Sequence, residues 1–268
     1  MVRSGKNSRM DDPAAVSLTT ADGVRLHASR WSGDRADLAF VVLHGFTGSS
    51  RGVHVRRICA QLAASGAGVL APDFRGHGKS GGLSTVGKLE VLDVAAAVAH
   101  LRADGYHSVA VIGWSMGGSA ALRYAGLGGD VDAVASVSSP GAWFERGTRA
   151  MRIVHWLCEK RTGRLVCRVV RHTRLAPESW DDVPESPEEV VGAIAPTPLL
   201  IVHGDADHYF PLRHVDLLAA AAPTAELWIE PGMGHAETAT TPELVERIAA
   251  WVRSVVAPEA VCDDGRRD

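Results

Sequence analysis

Short runs of consecutive apolar residues recur along the chain, and stretches with helical periodicity separate them. We predict strands at the apolar runs, which occupy residues 38–43, 68–71, 109–112, 131–137, 199–202 and 225–229. We predict helices where apolar residues recur at helical spacing, over residues 53–64, 89–103, 116–125, 212–222 and 242–255. Runs that are apolar at every position are typical of strands whose two faces are both covered. The alternation therefore predicts an α/β fold with a mostly parallel sheet and helices on both faces.

Two further segments, residues 16–20 and 24–30, precede this alternation and flank Ala21-Asp22-Gly23. A glycine-containing turn between two β-type segments is typical of an antiparallel hairpin. With this hairpin, the predicted central sheet has about eight strands.

Residues 141–195 interrupt the alternation and predict a helical cap inserted into the core domain. The segment is too long for a simple crossover, and helices are predicted around residues 143–160 and 165–174, before a proline- and acid-rich stretch at 177–189. We therefore predict a core domain of residues 13–140 and 196–257 and a cap of residues 141–195. The ends, residues 1–12 and 258–268, are expected to be disordered tails.

Composition narrows the class of protein. The formal net charge of −3 provides no overall field that would attract nucleic acid. No stretch resembles a signal peptide or a membrane span, so we expect a cytoplasmic protein without stable membrane insertion. The four cysteines lie far apart, without the paired spacing of a zinc site, and no metal is predicted. The oligomeric state stays open.

The strongest chemical signal is the sequence Gly113-Trp114-Ser115-Met116-Gly117, which lies between a predicted strand and a predicted helix. This is the context of the G-x-S-x-G motif, in which a sharp strand-to-helix turn exposes a nucleophilic serine. Glycines two residues before and after the serine let the strand and helix approach. Ser115 is therefore the predicted nucleophile.

A second motif, His44-Gly45-Phe46-Thr47-Gly48, follows the strand predicted at residues 38–43. A glycine here lets the backbone turn toward the nucleophile. The backbone amides of Phe46 and Met116 are then the predicted donors of an oxyanion hole, which stabilises the charge that develops during acyl transfer.

Two polar clusters at later strand ends supply an acid and a base. Asp205 and Asp207 follow the strand at residues 199–202, and His235 follows the strand at 225–229. A serine needs an imidazole to accept its proton, and the imidazole needs a carboxylate to fix its tautomer. His235 is the predicted base, and we favour Asp207 as the acid because Asp205 lies closer to the strand end, where it can brace the turn.

Five motifs in this order resemble those of the α/β-hydrolase superfamily, specifically its esterase and monoacylglycerol-lipase-like branch. They are HGFTG at residues 44–48, APDFRGHGKSGG at 71–82, GWSMGG at 113–118, HGDADHYFP at 203–211 and GMGH at 232–235. The resemblance implies a catalytic triad of Ser115, Asp207 and His235, with Phe46 and Met116 as oxyanion amides. It also implies a structural role for Asp73 and His77.

The cap suggests a hydrophobic acyl pocket. The predicted lining residues are Phe74, Trp114, Trp143, Phe144 and His208. The cap also carries many arginines between residues 146 and 174, which can either bind an anionic group of the substrate or form a solvated helix face. We favour the solvated face, with the apolar side of the cap helices over the active-site mouth: Met151, Val154, Trp156, Leu157, Val166, Val169 and Val170.

The sequence thus predicts a cofactor-free serine hydrolase that cleaves a carboxylic ester of a small to medium hydrophobic acyl substrate, and a small-molecule acyl compound as its partner. An acyl thioesterase or acyltransferase and a carbon–carbon bond hydrolase stay open on the same fold. A catalytically silent binding module is the alternative of another class, but it predicts a missing triad residue and none is missing.

Overall fold

The computed structural model describes residues 12–33, 37–177 and 183–256. Within these ranges, one sheet contains the strands β1 Ala14–Thr19, β2 Arg25–Trp31, β3 Leu38–Leu43, β4 Gly68–Pro72, β5 Ser108–Trp114, β6 Ala133–Val137, β7 Leu199–Gly204 and β8 Glu226–Glu230. Their order is β1-β2-β4-β3-β5-β6-β7-β8. β1, β2 and β4 pair antiparallel, and every pair from β4 onward is parallel. The predicted α/β class with a mostly parallel sheet is therefore confirmed.

Helices cover both faces of this sheet. They are α1 Val53–Ala63, α2 Glu90–Ala103, α3 Met116–Gly126, α4 Arg149–Glu159, α5 Arg161–Val170, α6 Pro187–Val190, α7 Arg213–Ala221, α8 Ala236–Ala239 and α9 Pro242–Val256. Buried residues of α2, α3 and α7 form one core cluster with the sheet, and those of α1 and α9 form another on the opposite face. Among the described residues, no helix has the length and hydropathy that crossing a bilayer requires.

The segment between β6 and β7 contains α4 and α5, which differ in extent from the predicted cap helices. The first helix begins at Arg149 rather than near Trp143, because the Thr148 hydroxyl caps it by accepting the N–H of Met151 at 3.2 Å. The second ends at Val170, shortly before His172 adopts a left-handed φ of 52°. The role of this segment as a cap stays a prediction, and the predicted tails lie outside the described residues except at Asp12.

The prediction for the apolar side of the cap helices is right for α4, except at Trp156, which is exposed and does not line the cavity beneath this helix, and it is wrong for α5. Met151, Val154 and Leu157 face the cavity beneath α4. On α5, the side chains of Val169 and Val170 are more than 60% exposed, and Val166 is also exposed. Gly163 explains this orientation: a Cβ there would overlap the backbone of Trp156 and Leu157, so this small residue must face α4 and fixes the rotation of α5.

Candidate active site

Ser115 lies at the sharp turn between β5 and α3, with a left-handed φ of 52°. The turn is possible because the residues two before and two after Ser115 are glycines. A Cβ on Gly113 would overlap the Gly117 carbonyl, and a Cβ on Gly117 would overlap the Leu43 carbonyl. The strand and helix thus approach too closely for any larger residue, which is the steric reason given above for the motif.

Three side chains form a hydrogen-bonded row at the carboxyl end of the sheet. His235 Nε2 lies 3.1 Å from Ser115 Oγ, and His235 Nδ1 lies 2.8 Å from Asp207 Oδ2. Because a carboxylate can only accept, the proton is on Nδ1, and Nε2 is free to accept from the serine hydroxyl. The structure therefore brings together the three residues that the sequence motifs pointed to.

The environment of Asp207 favours its charged form. The carboxylate is fully buried, and Asp207 Oδ1 also accepts the N–H groups of Tyr209 and Phe210, at 2.7 and 3.1 Å. Burial alone would raise the pKa of Asp207, but the bonds from His235 and from these amides together lower it below its ordinary value. Asp205 instead accepts the N–H of Gly232 at 2.6 Å and braces the adjacent turn.

The loop after β3 presents one amide that has no partner between two amides that do. The N–H of Gly45 donates to Glu237 Oε1 at 2.6 Å, and the N–H of Thr47 donates to His77 Nε2 at 3.3 Å. Within the described ranges, the N–H groups of Phe46 and Met116 donate to no other residue. Both residues line the cavity that contains Ser115, so two unoccupied donors border the serine.

Buried histidines support this loop. His44 is fully buried, its Nδ1–H donates to the Gly45 carbonyl at 2.8 Å, and its Nε2 accepts the N–H of Phe74 at 3.1 Å. Burial, together with repulsion from His77, lowers the pKa of His44 to about 4. His44 is therefore neutral at neutral pH and, with His77, acts as a structural brace.

We expect acid to destabilise the fold through His44. In the unfolded chain this imidazole takes up a proton near pH 6.5, whereas the folded state resists protonation until about pH 4. Below pH 6.5 the unfolded state binds more protons, so the free energy of unfolding should fall by about 2 kcal/mol between pH 7.5 and pH 5 from this residue. Urea unfolding at both pH values measures the loss, and His44→Asn should show a smaller loss than the wild type. An equal loss in this variant would contradict the assignment.

A cavity of about 980 Å³ lies between the sheet end and the helices α4 and α5. Of the predicted lining residues, it contacts Trp143, Phe144 and His208. Phe74 and Trp114 do not line it, and those two predictions need correction. Phe74 is fully buried against His44, and Trp114 points into the core on the side of α1 and α9, where its Nε1–H donates to Thr240 Oγ1 at 2.9 Å.

Two residues beside the serine were not singled out from the sequence. Tyr209 stacks on His235, with ring centroids 4.2 Å apart, and Glu237 holds the Gly45 amide. Burial raises the pKa of Glu237 despite that hydrogen bond. Each lies two residues after a predicted triad residue, Asp207 or His235, which was the available signal, but side-chain direction within a loop is not readable from spacing.

The chain is similar to known proteins both in sequence and in fold. Residues 39–160 match the family model described as "alpha/beta hydrolase fold". The chain is 27% identical over 215 residues to the uncharacterized protein YfhR of Escherichia coli O157:H7, covering 78% of this chain and 68% of that protein. Among solved structures, it resembles the Pyrococcus furiosus esterase Pf2001, with 25% identity, a TM-score of 0.74 and 96% of each chain covered. It also resembles Est1E from Butyrivibrio proteoclasticus, solved with bound ferulic acid, with 22% identity, a TM-score of 0.63, and 91% of this chain and all (100%) of that one covered.

Proposed function

Because the chain belongs to the α/β-hydrolase superfamily, we propose that it is a serine hydrolase that cleaves a carboxylic ester through an acyl-enzyme. The observation that carries the proposal is the row Ser115–His235–Asp207, with hydrogen bonds of 3.1 and 2.8 Å. The likeness to the esterase Pf2001 supports the choice of an ester. The partly apolar cavity under α4 supports a small to medium hydrophobic acyl group.

In the proposed mechanism, Ser115 Oγ attacks the ester carbonyl while His235 Nε2 takes the hydroxyl proton. The tetrahedral oxyanion accepts hydrogen bonds from the N–H groups of Phe46 and Met116, each typically worth about a hundred- to thousandfold in rate. His235 then gives the proton to the leaving alkoxide oxygen, and the carbon–oxygen bond breaks to release the alcohol. Asp207 stabilises the imidazolium that forms between these transfers.

A water molecule completes the cycle. His235 Nε2 takes a proton from the water, whose oxygen attacks the acyl carbonyl of the ester with Ser115. The second tetrahedral intermediate collapses, His235 returns the proton to Ser115 Oγ, and the carboxylic acid leaves. The stacked ring of Tyr209 and the buried Asp207 keep the imidazole oriented throughout.

Labelling with a fluorophosphonate probe tests the proposed nucleophile. The wild-type protein should form a covalent adduct at Ser115, detected by mass spectrometry of the modified peptide, because the probe reacts with an activated serine. Ser115→Ala should not be labelled. A wild-type protein that stays unmodified, or a variant that is modified equally, would contradict the proposal and favour a binding module.

A further inference from the structure

The rotation of α5 brings charged rather than apolar side chains to the cavity. Gly163 and Cys167 are buried, and two arginines line the cavity: Arg164, which is half-buried on α5, and Arg171, the exposed residue that follows the last turn of α5. The apolar positions, such as Leu165 and Val169, are instead about 60% exposed. An amphipathic helix ordinarily turns its apolar side toward the protein, so two arginines that line a cavity call for a partner.

The carboxylates that line the same cavity do not provide that partner. Glu145 is bound by Arg213 and by His214, the latter at 2.9 Å. Glu159 is bound by Arg146 and by His155 Nδ1, the latter at 2.8 Å. The third carboxylate, that of Glu237, accepts from the Gly45 amide beside Ser115.

The two guanidinium groups are correspondingly uncompensated. Arg164 Nη1 donates to the carbonyls of Cys158 and Glu159, both at 3.0 Å, which are neutral acceptors and leave the charge of Arg164 in place. Across the described residues, neither Arg164 nor Arg171 forms a salt bridge with a carboxylate. The cap end of the cavity is therefore positively charged.

We propose that Arg164 and Arg171 bind an anionic oxygen group of the substrate, such as a carboxylate, while the scissile carbonyl lies at Ser115. This inference rests on the proposed function and names its substrate class: an ester that carries an apolar segment and an anionic group on its acyl or alcohol part. Guanidinium groups suit this task because their fork of N–H donors matches two anionic oxygens.

Two matched pairs of esters test the site. In the first pair, 4-nitrophenyl esters of one chain length end in a carboxylate or in a carboxamide, so that only the charge on the acyl part differs. In the second, acetate esters of 4-hydroxybenzoate and 4-hydroxybenzamide place the same difference on the alcohol part. We expect kcat/KM of the wild type to favour the anionic member of at least one pair by about tenfold, the factor that one charge-assisted hydrogen bond supplies.

In the double variant Arg164→Gln/Arg171→Gln, this ratio should fall to about one. Arg168→Gln is the matched control, because it removes the same charge from the same helix at an exposed residue that does not line the cavity. The ratio should survive in Arg168→Gln. A ratio of about one for both pairs in the wild type, or an equal loss of the ratio in the control and in the double variant, would overturn the anion site.

Fluorophosphonate labelling separates this inference from the function on which it rests. A wild type that is labelled and hydrolyses the neutral esters, but shows no preference for charge, overturns the anion site and leaves the proposed function intact. A wild type that is not labelled overturns the proposed function and the anion site with it. Labelling of the double variant at the wild-type rate shows that a lost preference does not come from misfolding.

Discussion

Replacing Ser115 or His235 by alanine should each lower kcat for a 4-nitrophenyl ester by at least about 10⁴-fold. Among the described residues, the Ser115 hydroxyl has one imidazole within hydrogen-bond distance, that of His235, whose Nε2 lies 3.1 Å away. Without His235, no base accepts the hydroxyl proton. Without Ser115, the imidazole has no nucleophile to activate. Initial rates at saturating ester, after correction for spontaneous hydrolysis, measure both losses.

The double variant Ser115→Ala/His235→Ala should be scarcely slower than either single variant, because the two residues act as one unit. Losses that multiply would contradict the shared mechanism. His107→Ala provides a control for the histidine replacement, since His107 is exposed in the structure. Thermal unfolding of each variant shows whether a lost activity reflects chemistry or a lost fold.

The core of the fold follows from hydrophobic periodicity because its strands are buried on both faces. The residues of β3, β5 and β7 are nearly all buried, and their apolar runs predicted their positions to within about two residues. The candidate site then follows from topology. Ser115, Asp207 and His235 each come after a strand, and strands that run parallel bring their carboxyl ends to one edge of the sheet.

The lining of the cavity could not be predicted in the same way, since it depends on which side a residue points to. Trp114 is the residue before Ser115, yet neighbouring residues in a strand point to opposite faces, and Trp114 is buried in the core. The prediction for helix α5 is wrong for another reason. Its apolar positions predicted a buried face, but the close contact of Gly163 with Trp156 and Leu157 determines its rotation. Such a contact between two helices is not visible in the periodicity of either one.

Asp207→Asn should lower kcat by about 10³- to 10⁴-fold while the protein stays folded. An asparagine amide can donate to Nδ1, which moves the imidazole proton to Nε2, where it prevents acceptance of the serine proton. Asp205→Asn is the matched control, since the Asp205 carboxylate binds the Gly232 amide rather than the imidazole. Its kcat should stay within about threefold of the wild type, with a lower midpoint of thermal unfolding. The reverse outcome, a large loss of kcat in Asp205→Asn and a small one in Asp207→Asn, would show that Asp205 rather than Asp207 orients the imidazole.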